Sequence, residues 1–136
     1  MSIVSRVLPR TRLVVALLGV GVLAACGNDV LAPFSPAVGN VADNFQLQAS
    51  NLTDVSWTVV YPWVNSGTRA TINHSTATTS GSTLLVIKDA TGAVVYSKAL
   101  SASLNEPTSA GQTGTWWVTL TLTHFSGTIN FRAQKL

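Results

Sequence analysis

Gly114-Thr115-Trp116-Trp117-Val118-Thr119-Leu120-Thr121-Leu122-Thr123 is the stretch that decides the fold. Trp116, Val118, Leu120 and Leu122 alternate with Trp117, Thr119, Thr121 and Thr123. A period of two sends successive side chains to opposite faces of a strand. One face is therefore apolar, and the other carries Trp117 beside a threonine ladder. The same alternation recurs on either side. Ile129, Phe131 and Ala133 follow it, facing away from Thr128, Asn130 and Arg132. Before it come Phe45, Leu47 and Ala49; then Val55, Trp57, Val59 and Tyr61; then Ala70 and Ile72; then Val94 and Tyr96. Leu84-Leu85-Val86-Ile87 is apolar without a break, as expected of a central strand covered on both faces.

Seven short segments separated by Gly, Ser, Asn and Pro turns predict an all-β chain, an antiparallel sandwich or barrel. Residues 43–136, roughly 95 of them, suit one β-sandwich domain. No helical period follows Cys26. Residues 75–82 and 100–112 read as the long loops, the second interrupted by Pro107. Asp89 and Gly92 are placed to open and close a type I turn.

Ahead of this domain, Arg6, Arg10 and Arg12 precede an apolar run over residues 13–25, which ends at the only cysteine, Cys26. The run is shorter than the about 20 residues needed to span a bilayer. A basic segment, a short apolar segment and small residues before a cleavage point make an export signal. Leu23-Ala24-Ala25-Cys26 resembles the lipobox of bacterial lipoproteins. That resemblance implies removal of residues 1–25, acyl chains on Cys26 and anchorage in the bacterial cell envelope. Gly27 in place of Asp after the cysteine implies the outer membrane where there are two. Residues 26–42, with two prolines after Gly27 and no periodic pattern, read as the lipidated cysteine and a flexible tether.

The formal charge of +3 belongs to the three arginines of the signal. Behind Cys26, Arg69, Lys88, Lys98, Arg132 and Lys135 balance Asp29, Asp43, Asp54, Asp89 and Glu106. No basic patch is left for a phosphate backbone, so nucleic acid is excluded as a partner. One cysteine permits no internal disulfide.

Residues 84–96, Leu-Leu-Val-Ile-Lys-Asp-Ala-Thr-Gly-Ala-Val-Val-Tyr, resemble the central hairpin of bacterial pre-peptidase C-terminal sandwich domains. Gly114-Thr115-Trp116-Trp117-Val118-Thr119-Leu120 and Gly127-Thr128-Ile129-Asn130-Phe131 resemble that family's closing strands. The resemblance implies a non-catalytic module of the kind that binds polymers. The chain departs from the family in having no attached enzyme and no acidic cluster for calcium.

Catalytic chemistry is poorly supplied. The carboxylates fall in turns, with no pairing suited to glycoside hydrolysis. No nucleophile elbow is present. His74 and His124 lack the further ligands zinc needs; Asp43, Asp54 and Asp89 are the carboxylates a loop-bound calcium would use. We expect no metal and no cofactor. Asn51-Leu52-Thr53 and Asn73-His74-Ser75 match a glycosylation sequon by chance in a bacterial chain. The better lead is aromatic: Trp117 with Thr119 and Thr121, and Trp63 at a strand end, are the expected ligand-binding residues, while Trp57 is expected in the core. The function expected is a non-enzymatic binding or accessory module for a polysaccharide or a protein partner. The alternative is a structural lipoprotein that packs into an envelope or surface assembly.

Overall fold

The computed structural model describes residues 36–136; the expected signal, Cys26 and the part of the expected tether before Pro36 lie outside the described residues. Seven antiparallel strands form one sheet: β1 (Ala37–Val41), β2 (Asn44–Asn65), β3 (Ala70–His74), β4 (Ala77–Lys88), β5 (Val94–Lys98), β6 (Leu104–Pro107) and β7 (Gly114–Lys135). β2 pairs with β7 along nearly its whole length. β3 and β4 follow one another along the far side of β7, β6 adds to β3, β5 adds to β4, and β1 pairs with the start of β2.

β2 and β7 are 22 residues each. Fully extended, such a strand would reach about 70 Å at roughly 3.3 Å per residue. A flat sheet of that length would leave its apolar face in water. Instead the ribbon doubles over. Pairing registers shift between Ala49 and Trp57 in β2 and between Thr78 and Ser82 in β4. Extra residues of this kind bend a strand and increase its twist. Asn51, Asp54, Gly81, His124 and Gly127 take positive φ there. Phe45 and Tyr61 lie on the same strand, yet their ring centroids are 5.4 Å apart. Only a folded strand allows that.

The fold-over makes two leaves of a sandwich. The first contains β1, the start of β2, the end of β7, β3 and β6. The second contains the end of β2, the start of β7, most of β4, and β5. Phe45, Leu47, Ile72 and Phe131 line the inner face of the first, against Trp63, Leu85, Trp116 and Leu120 of the second; all are fully buried. The leaves also meet at their edges. The Asp43 N–H donates to the Val64 carbonyl at 2.8 Å, and the Ser109 N–H to the Val95 carbonyl at 2.9 Å. Pro62 lies on the edge strand of the second leaf, where its missing N–H interrupts no ladder. Its carbonyl accepts from Asn40 Nδ2 at 2.8 Å.

The all-β sandwich expected from the sequence is the architecture observed, with its strands joined differently. The segments around Phe45 and Val59 are two parts of β2, and those around Leu120 and Phe131 are two parts of β7. β1 forms from residues read as tether, β6 from within the second expected loop, and most of residues 75–82 belong to β4. The expectation that residues 84–87 are covered on both faces is corrected. Leu85 and Ile87 are buried, but Leu84 is exposed and Val86 half-buried, because no layer lies over the outer face. Trp57 is only partly buried, packed against the margin of the core.

Asp89 holds its turn as expected, and does more. Oδ1 accepts from the Thr91 N–H, the Thr91 hydroxyl and the Ala93 N–H at 2.7–3.0 Å, while Oδ2 accepts from the Gln112 N–H at 2.8 Å. The Thr91 hydroxyl foremost, then these amides, hold its carboxyl below the usual range. The bond to Gln112 pins the loop that leads into β7.

Candidate functional site

Directly opposed residues on antiparallel strands share a face, so the pairing registers give the outer surface of the second leaf row by row. Trp117 on β7 is flanked by Pro62 on β2 and Lys88 on β4, with Val94 on β5 beyond Lys88. Thr119 lies between Val60 and Val86, and Thr121 between Thr58 and Leu84. The Thr58 hydroxyl donates to the Thr121 hydroxyl at 3.2 Å, tying two strands together across this face. Trp117 is 43% exposed and Val60 50%. Leu84, Val64 and Val94 are also exposed. Among the described residues, Lys88 is the one charged side chain on this surface, and neither a carboxylate nor a side-chain amide occurs on it.

The outer surface of the first leaf is the opposite in character. There Gln46, Gln48, Asn130, Arg132 and Gln134 point outward, and Arg132 Nη2 donates to Gln46 Oε1 at 3.4 Å. Amides and a guanidinium are well served by water; valine, leucine and tryptophan are not. Both leaves have the same pleat and the same core beneath, yet the outer face of the first is mainly polar, with Val41 exposed at its β1 edge, while that of the second carries several valines, Leu84 and Trp117.

Trp117, Thr119 and Thr121 therefore stand together on one surface, as the alternation predicts. Trp63 does not join them. It is 1% exposed, its ring meets that of Trp116 edge-on at a 5.8 Å centroid distance, and its Nε1 donates to the Val41 carbonyl at 3.1 Å. The expectation that it binds ligand is corrected: it faces the core because the alternation of β2 runs on past Pro62. Val60, Leu84, Val86 and Val94 belong to the surface and were missed. The register signal that could have found them is the pairing of residues 84–88 with the threonine ladder.

The titratable groups fall into separate pairs, apart from His74, Tyr96, Lys98 and Glu106, which meet where β3, β5 and β6 come together. Asp43 Oδ2 accepts from Lys135 Nζ at 2.9 Å and its Oδ1 from the Ser66 N–H at 2.7 Å. The Ser66 amide first, then Lys135, lower its carboxyl pKa to about 2. Asp54 Oδ1 lies 2.9 Å from His124 Nδ1 in the open, beside the bend. The hydroxyl oxygens nearest that pair accept backbone amides: Ser126 from Asp54, and Ser56 from His124. No three His, Cys, Asp or Glu side chains group to hold a metal ion among the described residues.

His74 is the unusual group. It is 3% exposed on the inner face of β3, and neither ring nitrogen has a hydrogen-bond partner among the described residues. It lines a shallow cavity of about 280 Å³ with Asn73, Ser103 and Asn105. Burial lowers its pKa from 6.5; Glu106 opposes that shift and Lys98 adds to it. Glu106 is itself held as the anion by Lys98, whose Nζ donates to Oε2 at 2.7 Å. Since the folded state binds the His74 proton more weakly than the unfolded chain, stability is full above pH 6.5 and falls as pH drops below it. Urea unfolding across that range is expected to show the loss in wild type, and a flatter profile in His74→Leu. An unchanged slope in the variant would refute the assignment.

No protein-family model matches this chain, and no curated protein matches it.

Proposed function

We propose that this protein is a lipid-anchored module of the bacterial envelope that works by docking rather than by catalysis, through the outer face of its second leaf. The observation that carries the reading is the contrast between the two outer faces. An extended apolar surface left in water is a liability, and on a working protein such a patch marks an interaction site. Trp117 supplies a large rigid ring and the threonines supply hydroxyls, the make-up of a surface that accepts a partner protein or a polysaccharide. The lipobox-like Leu23–Cys26 motif supports anchorage, with two or more acyl chains at Cys26 giving a durable hold. The likeness to pre-peptidase C-terminal domains supports a non-catalytic role.

The test asks whether the face is covered where the protein works. The full chain would carry Thr119→Cys on this face or Gln48→Cys on the other, and be labelled in intact cells with a water-soluble maleimide. Thr119 is half-buried and Gln48 exposed within the fold itself, so each rate is taken relative to the same variant purified, folded and dilute. On that scale labelling in cells is expected to be at least about tenfold slower at position 119 than at 48, since shutting off a residue for over nine-tenths of the time requires only about 1.4 kcal/mol of binding free energy. Equal relative rates would overturn the reading.

A further inference from the structure

We infer that the occupant of this face is a second copy of the same chain, packed sheet to sheet. The inference rests on the reading that the outer face of the second leaf is the working surface, and it names the partner. Three observations carry it.

The first is chemical. A glycan chain presents a ring of hydroxyls to whatever grips it, and their recognition calls for groups that donate and accept in fixed directions. Carboxylates and amides do this best. This face has neither, while the opposite face is rich in amides. A strongly charged protein partner is equally ill served, because Lys88, at the last residue of β4, is the only charge that the described residues offer on this face. What remains is a flat array of Val, Leu, Thr and Trp. Its natural complement is another flat array of the same kind.

The second is geometric. Two sheet faces bearing such side chains pack about 10 Å apart with their rows interdigitated. The two leaves inside this domain already pack so, Trp63 and Trp116 on one side against Phe45 and Phe131 on the other. Two outer faces would repeat that arrangement and make a four-layer stack. A dimer about a two-fold axis uses one patch twice, so it needs only a self-complementary surface.

The third is size. From Thr115 to Thr123 the face runs about 27 Å at roughly 3.3 Å per residue, and its four strands span about 19 Å at roughly 4.8 Å each. The footprint is at most about 500 Å² per copy and about 1,000 Å² for the pair, the least a biological interface should bury and short of the about 1,200 Å² at which stable ones begin. An interface of that size is weak in free solution. Anchoring both copies to one membrane raises their effective concentration and makes the contact persistent.

The full chain expressed in a bacterial host, with Thr119→Cys or Val60→Cys, would be treated with a bismaleimide of about 10 Å reach, matched to the spacing of packed sheets. Gln48→Cys and Asn130→Cys, on the first leaf, serve as controls, and the unsubstituted chain gives the background from Cys26. Mass spectrometry would verify that each thiol has reacted. A species of twice the chain mass, at least about tenfold enriched for both second-leaf positions over both controls, is the expected result. Adducts at positions 119 and 60 to other proteins alone would overturn the second copy and leave the docking face standing. No cross-link at any position would overturn the second copy and leave the docking face to the labelling test; equal cross-linking at all four positions would overturn both.

Discussion

Gly127→Ala is expected to cost the domain at least about 3 kcal/mol, a loss large enough to unfold much of a marginally stable β protein. Gly127 has φ 145°, a conformation that side-chain-bearing residues avoid. A Cβ there would overlap the carbonyl oxygen of Ala77 and approach the Phe125 ring to 3.2 Å. Neither neighbour can move cheaply. Ala77 is the first residue of β4 and pairs beside Gly127 across the β4–β7 ladder, while Phe125 is fully buried. The strain would fall on the bend of β7, the feature that brings the leaves together. Gly92→Ala is the control, because Gly92 has φ 87° but a Cβ there would meet nothing within 4 Å. Its cost is the backbone term alone, about 1–2 kcal/mol. Urea unfolding followed by tryptophan fluorescence measures both. Equal shifts for the two variants would show that the packing around Gly127 is looser than described.

Trp63→Ala is expected to lose about 3–5 kcal/mol, the range for emptying a buried aromatic site. Removal of the indole opens a void against Trp116 and deletes the bond to Val41 that holds the end of β1 against the second leaf. Trp117→Ala, on the exposed face, is expected to change stability by no more than about 0.5 kcal/mol. The pair therefore separates a structural tryptophan from a surface one. Should the two variants unfold at the same urea concentration, the assignment of inner and outer faces along β2 and β7 would be wrong.

That contrast also shows what can be read from this chain before its structure. Alternation identified the strands because burial on one face needs a period of two, and residues 116–122 keep that period without a break. It failed at the bends. Inward positions on β7 run Trp116, Val118, Leu120, Leu122 and then change parity to Ile129, Phe131, Ala133. An inserted residue switches the faces, so a single strand reads as two. Pro62 misled for another reason. Proline ends a central strand, whereas on an edge strand its missing donor is harmless, and the series Val59, Tyr61 continues inward to Trp63. The docking face was half legible. Trp117 and the threonines follow from one strand, but the valines and Leu84 join them only through pairing registers, which lie between strands and leave no mark within any one of them.

The doubled ribbon has a consequence for how the molecule is made. β7 lies at the centre of both leaves, between β2 on one side and β3 with β4 on the other. It is also the last of the seven strands in the chain. Only the β1–β2 and β4–β5 hairpins can form from neighbouring sequence; β3 and β6 must meet across a long intervening stretch, and the pairings that join β2, β3 and β4 into leaves all wait for β7. Closing such distant contacts is slow, since the loop entropy must be met before the contacts give any return. The chain therefore has little to fold around until its final strand has emerged, and then closes both leaves over one template. On the proposed export reading, a fold that stays open until its last strand arrives would keep the chain threadable through a membrane for as long as it needs to be.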